Sequence, residues 1–99
     1  MADKERVTTK YIEAVKDVLR TLEGPFSAQP LTGVVAHNPN TNRVLYYIVG
    51  QDKNGEDVLK KPAIVQITDE GKIVIEKNNT DLDIGKELIW LGVPGEDIV

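Results

Sequence analysis

Apolar residues recur every three or four positions through the first part of the chain, from residue 4 to residue 22. Charged residues occupy the opposite face, and this spacing predicts an amphipathic helix. Gly24 and Pro25 are expected to end it, because glycine tolerates the left-handed conformation and proline cannot continue the hydrogen-bond ladder. Residues 26–30 are expected to form a connecting loop. We expect the charged face to contact water rather than a partner. The apolar face comprises Val7, Tyr11, Ala14, Val15, Val18, Leu19 and Leu22.

Four later segments have the composition of β-strands, and residues that favour turns separate them. They span residues 31–36, 44–49, 58–68 and 72–76. Residues 44–49 are apolar or aromatic at every position, which is typical of a central strand covered on both faces. Pro62 lacks a ladder donor, so a strand is expected to begin, bulge or lie on an edge there.

The C-terminal part of the chain carries the start and stop signals of a second helix. Thr80 is followed three residues later by Asp83, a variant of the capping box in which an oxygen side chain accepts from otherwise unpaired amides. Gly92 and Pro94 are expected to end the helix. The sequence therefore predicts a helix that starts at Thr80 and stops before Gly92.

Trp90 falls outside the predicted buried stripe of this helix. At 100° per residue, a stripe formed by Ile84, Leu88 and Leu91 leaves Trp90 on the polar face. The indole is expected either to fill a subunit or partner interface, where tryptophan is enriched, or to lie over the aliphatic stem of Lys86.

The element order predicts an α+β fold in a single domain covering residues 1–99. It consists of an N-terminal helix, a four-stranded and mainly antiparallel sheet, and a C-terminal helix packed on the same face. Two helices cover the roughly 19 Å width of four strands on one face only. The uncovered face predicts a homodimer or an obligate partner. Alternatively, tyrosine hydroxyls and lysine stems make this face tolerable to water. The candidate interface residues are Tyr46, Tyr47, Val74 and Trp90.

Composition and charge narrow the possible functions. The chain has no cysteine, which excludes disulfides and cysteine-ligated metal sites and agrees with a reducing cytoplasm. Its N-terminus shows no signal-peptide pattern, and no apolar run is long enough to span a membrane. Residues 1–50 contain 6 Lys and Arg and 5 Asp and Glu. Residues 51–99 contain 6 Lys and Arg and 11 Asp and Glu, so the whole chain has 12 basic and 16 acidic residues. An acidic second half argues against direct DNA binding.

Residues with catalytic or metal-binding potential are few. His37 is the only histidine and Ser27 the only serine. Ser27 is expected in a loop and His37 at a strand end or in a loop, and nothing supports their pairing in a catalytic triad. Residues 52–57 resemble a calcium loop only superficially, because their glycine stands fourth and strands flank them. Asp83 and Glu87 could share a cation, but the helix start and the wet face explain them better. The sequence thus predicts no catalytic, cofactor or metal site.

Segments in the last third of the chain closely resemble the XisI family, the fdxN element excision controlling factors of cyanobacteria. The resemblance lies in residues 69–76, 79–84, 87–88 and 91–99. Residues 46–50 and the N-terminal helix resemble the family more loosely. Gln51 stands where the family usually has tryptophan, Val74 where it often has an aromatic residue, and relatives continue beyond Val99 with a basic, aromatic tail. The signature positions are Gly71, Thr80, Asp83, Gly92 and Pro94.

The resemblance implies a non-enzymatic accessory factor for programmed excision of a DNA element. Such a factor would act with a XisH-like partner, whose family looks nuclease-like, and with a site-specific recombinase. The acidic second half favours contact with a basic, DNA-handling protein. An acidic, antitoxin-like inhibitor of a XisH-like nuclease is the first alternative. An enzyme of unknown substrate is the second.

Overall fold

The computed structural model describes the backbone of residues 2–99 and the side chains of residues 6–99. Helix α1 spans Ala2–Arg20, helix α2 spans Ile84–Trp90, and a 3-10 turn spans Gly95–Asp97. Residues 1–5 lie outside the described side chains, and they are part of the N-terminal segment in which no signal peptide was expected. In the part of the chain that is described, neither helix combines the length and the hydropathy required to cross a membrane.

Five strands form one antiparallel sheet in the order β1-β2-β3-β4-β5. The predicted four strands are present, and the prediction of only four was wrong. The additional strand, β1, consists of two residues in the segment where the first helix was expected to give way to a loop. Two residues cannot display a period of two, so the pattern contained no signal for it. The strands are β1 Gly24–Pro25, β2 Leu31–Asn38, β3 Arg43–Gln51, β4 Asp57–Ile67 and β5 Ile73–Asn78.

Both helices pack on the same face of the sheet, as the sequence predicted. Val15 and Leu19 of α1 and Leu88 of α2 are fully buried, in one cluster with Val44 and Val65 of the sheet. At roughly 25 cal/mol per Å² of buried apolar surface, this shared core is the main source of stability for the two-layer arrangement.

Helix α2 begins four residues later than Thr80. Its N-cap is Asp83, whose Oδ1 accepts a hydrogen bond from the amide of Lys86 at 3.1 Å. The prediction that Thr80 starts the helix was therefore wrong. The Thr80 hydroxyl oxygen instead accepts from the amide of Leu82 at 3.2 Å and the hydroxyl donates to Asn78 Oδ1 at 2.6 Å, which forms a turn before the helix.

The predicted end of α2 is confirmed. Gly92 has a φ of 97°, a left-handed conformation that favours glycine. The chain then turns so that Val93 is buried and its amide donates to the carbonyl of Leu88 at 3.0 Å. Val93 takes the core position that Leu91 was expected to fill, since Leu91 is 53% exposed. Pro94 follows as the N-cap of the 3-10 turn.

Pro62 lies in a β-bulge, one of the three placements that its missing donor allowed. Tyr46 pairs with Ala63 and Ile48 with Lys60, so two residues of β4 oppose Tyr47 alone. The carbonyl of Pro62 accepts from the amide of Asn79 at 2.7 Å. The bulge therefore bends β4 without leaving the proline carbonyl unpaired.

The outer side of β2 is tied to the end of the first helix. Beyond its two residues of pairing with β1, the amide of Val35 donates to the carboxylate of Glu23 at 2.8 Å. A side chain thus accepts from an amide that a longer β1 would otherwise have paired.

Candidate protein-contact surfaces

The most exposed large aromatic side chain lies at the end of α2. Trp90 is 76% exposed, and its neighbours Ile89 and Leu91 are 55% and 53% exposed. The expectation that Trp90 lies off the buried stripe agrees with this placement, because Ile84 and Leu88 are the buried residues of α2. Three consecutive large apolar residues in water are unusual for a surface without a binding role. We call these three residues the Trp90 surface.

Three carboxylates and one ammonium group border the Trp90 surface. A shallow hollow of about 170 Å³ beside the indole is lined by residues of both helices. Asp17 and Glu87 contribute its acidic groups, and Asp17 also pairs with Arg20 at 3.0 Å. On its other side Trp90 borders a second hollow with Asp83 and Lys86. An exposed indole edged with carboxylates suits a cationic side chain, because a guanidinium or ammonium group can contact the ring and a carboxylate together.

Tyr46 does not belong to an interface, which corrects its assignment as a contact residue. Its side chain points to the helices, is 5% exposed, and donates a hydrogen bond from its hydroxyl to the carbonyl of Leu22 at 2.9 Å. Burial raises the pKa of this phenol. Tyr46 therefore acts as a core residue that connects β3 to the end of the first helix.

Tyr47 and Val74 lie on the opposite face of the sheet, which neither helix covers. Side chains alternate between the two faces of the sheet along each strand. Residues that pair with Tyr47, and the residues directly before and after the buried Val44, therefore lie on this face. Leu59 on it is 66% exposed, and Val34, which pairs with Tyr47, is 39% exposed. We call it the open sheet face. Its apolar residues are Val34, Ala36, Leu45, Tyr47, Val49, Leu59, Ile64 and Val74.

The remaining interface candidates thus fall on two separate surfaces. Trp90 lies on the helical side of the molecule, whereas Tyr47 and Val74 lie on the far side of the sheet. The Lys61 ammonium is 5.8 Å from the centre of the Tyr47 ring. This contact is of the kind that the alternative to an interface predicted, with lysine making part of the face tolerable to water.

A polar cluster that no sequence pattern predicted joins α1 to the 3-10 turn near the end of the chain. The Tyr11 hydroxyl donates a hydrogen bond to Asp97, and Lys72 Nζ lies 3.0 Å from the other carboxylate oxygen. These contacts hold the pKa of Asp97 below its usual value, and the hydrogen bond to Asp97, with burial, raises the pKa of Tyr11 to about 12. Neither partner has a local motif that could have signalled a contact between residues so far apart in sequence.

The residues with catalytic potential are not brought together. His37 lies near the end of β2, and Ser27 lies in the turn before its start, so the two are separated by roughly 20 Å of extended strand. Asp83 is engaged as the N-cap of α2. Within residues 6–99, no group of three or more histidines and carboxylates could hold a metal ion. His37 Nε2 and Thr41 Oγ1 are buried and have no hydrogen-bond partner among the described residues.

Comparison with known proteins gives one family and several structures. The family model described as XisI protein matches residues 5–99. A crystal structure of a XisI-like protein from Anabaena variabilis is 29% identical, with a TM-score of 0.77, and the alignment covers 93% of this chain and 84% of that one. The fdxN element excision controlling factor XisI from the same organism is 22% identical, with a TM-score of 0.68 and coverage of 94% and 84%. No curated protein matches.

Gly71 and Asp83 have defined structural roles within the matched region. Gly71 has a φ of 78° and its amide donates to the carbonyl of Thr68 at 3.0 Å, which closes the turn between β4 and β5. Asp83 caps α2. These contacts are internal to the fold, so they account for the two residues without a ligand or partner.

Proposed function

Since the chain belongs to the XisI family, we propose that it is a controlling factor for excision of a DNA element and acts by contacting another protein. The XisI of Anabaena variabilis, whose fold it shares, is a controlling factor for excision of the fdxN element. We further propose that it has no catalytic activity of its own and works in the cytoplasm. The observation that carries the proposal is the Trp90 surface, in which an indole 76% exposed stands beside carboxylates.

The chemistry of this surface favours a basic partner. The chain has a net charge of -4, and Asp17 and Glu87 line the hollow beside Trp90. DNA would meet repulsion there, because its affinity for proteins depends on neutralising phosphates with Lys and Arg. A protein that itself binds DNA carries such basic residues. A XisH-like protein fits this description, and so does a recombinase.

Co-purification with a XisH-like protein tests the proposal. We expect a complex that Trp90→Ala weakens by at least about tenfold, a loss of about 1.4 kcal/mol, since buried tryptophans dominate interface energies. Phe26→Ala is the matched control, because Phe26 is an exposed aromatic residue of the β1–β2 connection, at 38% exposure. If no complex forms, or if both substitutions weaken it equally, the assignment of the Trp90 surface is wrong.

The same acidic surface supports a second candidate, an antitoxin-like inhibitor of a XisH-like nuclease. A carboxylate-rich surface can occupy a basic cleft that would otherwise bind phosphates. Titrating this chain into a nuclease assay of the partner separates the two functions. An inhibitor abolishes cleavage once the molar ratio of this chain to the nuclease reaches the stoichiometry of their complex. An accessory factor leaves cleavage unchanged or increases it. A mobility shift produced by this chain alone at physiological salt would contradict both.

A further inference from the structure

We propose that the open sheet face is a contact between two copies of this chain, packed sheet against sheet with the helices outside. This surface is separate from the Trp90 surface, so the inference goes beyond the proposed function. Sheets commonly pack face to face at about 10 Å with their strands within about 30° of each other. The resulting arrangement would have four layers in the order helix, sheet, sheet, helix.

The register makes the apolar residues of this face continuous. Val34 pairs with Tyr47, and Ala36 pairs with Leu45, so β2 and β3 place their apolar side chains in adjacent rows. Leu45 also pairs with Ile64 of β4, which extends the rows toward the other edge. Cross-strand pairs lie about 4.5–5.5 Å apart, close enough to exclude water between them once a second layer covers them. The face therefore offers a surface like half of a sandwich core.

The charges on the open sheet face favour a second copy over an oppositely charged partner. The Arg43 guanidinium makes two hydrogen bonds to Glu76, at 2.6 and 3.0 Å, so these two charges cancel. The Lys61 ammonium lies over the Tyr47 ring. Each copy carries a net charge of -4, and two copies therefore repel each other at acidic surfaces such as that around Trp90. Lys77, which pairs with Ile64, and Asp57, which pairs with Gln51, add one charge of each sign to this face. A symmetric contact places a patch against itself, and it is favoured where that patch carries little net charge.

The size of the face sets the expected strength of the contact. Four strands at about 4.8 Å and five residues at about 3.4 Å give roughly 19 by 17 Å, or on the order of 300 Å² in projection for each copy. Specific interfaces bury about 800 Å² of accessible surface per partner, and smaller ones are weak or transient. We therefore expect a weak dimer that forms at high protein concentration and dissociates on dilution.

Sedimentation velocity over concentrations from about 5 to about 500 µM tests this proposal, with a matched pair of substitutions. Leu59→Glu places a carboxylate on the open sheet face at a position 66% exposed, and Leu91→Glu places the same group on the helical side at a position 53% exposed. We expect the wild-type chain to pass from monomer to dimer, Leu59→Glu to raise the Kd at least about tenfold, and Leu91→Glu to leave it unchanged. Thermal melts confirm that both variants are folded.

Trp90 supplies a second readout that requires no substitution. It is the only tryptophan, and it lies on the side of the molecule away from the open sheet face. Its fluorescence should therefore stay constant as the dimer forms.

A monomer at every concentration would overturn the proposal, as would a Kd that Leu91→Glu raises as much as Leu59→Glu does. A change in Trp90 emission that follows dimerisation would place the contact on the helices. Loss of partner binding in Trp90→Ala would leave this contact unchanged, so the two proposals fail separately.

Discussion

The hydroxyl of Tyr11 donates a hydrogen bond to the carboxylate of Asp97, 86 positions away in the sequence. Lys72 holds the second oxygen of the same carboxylate. The 3-10 turn is thereby fixed to α1 and to the start of β5, and the chain beyond α2 becomes part of the folded unit.

Removing the Tyr11 hydroxyl tests the contribution of this link. Tyr11 is 6% exposed, so Tyr11→Phe keeps the packed ring and loses one hydrogen bond to a charged group. We expect the Tm to fall by roughly 4 to 8 °C, which for a domain of this size corresponds to about 1 kcal/mol. Tyr47→Phe, measured below the dimerisation range, is the control, and its Tm should change by less than about 3 °C. Equal shifts in the two variants would show that the link does not contribute.

Asp97 should make stability fall in acid. Its hydrogen bond from Tyr11 and its contact with Lys72 hold its pKa below the ordinary value of 3.8. The folded state then binds fewer protons than the unfolded state, so the contribution of Asp97 to the free energy of unfolding is fully present above its ordinary pKa. This contribution is lost as the pH falls through the lower pKa that Asp97 has in the folded state. Urea denaturation between about pH 7 and about pH 2 measures it. In Asp97→Asn this part of the acid loss should be absent, and the variant should be less stable than wild type near neutral pH.

Two glycines should respond to alanine in opposite ways. A Cβ on Gly33 would overlap the Tyr46 hydroxyl and lie 2.8 Å from the Leu22 carbonyl oxygen, whereas on Gly85 the nearest atom would be Ile75 Cδ1 at 3.8 Å. We expect Gly33→Ala to destabilise by about 1–3 kcal/mol through overpacking. Gly85→Ala should stabilise by about 0.4–1 kcal/mol by restricting the unfolded chain. Equilibrium denaturation of both variants decides this, and a stabilising Gly33→Ala would contradict the described packing.

The position of the helix start can be measured directly. Asp83→Ala removes the N-cap of α2 and should cost about 1 kcal/mol, while Asp83→Asn should retain most of the stability, because asparagine caps equally well. Thr80→Ala should cost less than Asp83→Ala, because its hydroxyl supports only the preceding turn. The reverse order would restore Thr80 as the start of the helix.

Periodic patterns predicted the main elements, and the errors fall where periodicity gives no information. The strand at residues 44–49 is apolar throughout, so its composition predicted a central strand without revealing which side chains face the helices. Tyr46 and Tyr47 could therefore not be distinguished, although one is buried and the other lies on the open sheet face. The four main strands, both helices and the uncovered face followed from spacing together with composition and turn residues.

The candidate site was predictable only in part, for a different reason. Trp90 could be placed because helical geometry assigns every residue to a face. Thr80 and Asp83 both carry an oxygen that can cap a helix, and the choice between them depends on the turn that Asn78 and Leu82 form with Thr80. The contact between Tyr11 and Asp97 is tertiary, and no rule based on neighbouring residues reaches it.

The hydrogen bond from the Val35 amide to Glu23 also limits how copies of this chain can associate. A strand from another molecule that added to β2 would need this amide, and each such addition would present a new edge, so growth could continue into a fibre. Packing through the faces ends at two copies because each molecule has only one open sheet face. The Glu23 carboxylate, in the segment that follows α1, thus opposes strand addition at the β2 edge while leaving a closed assembly possible.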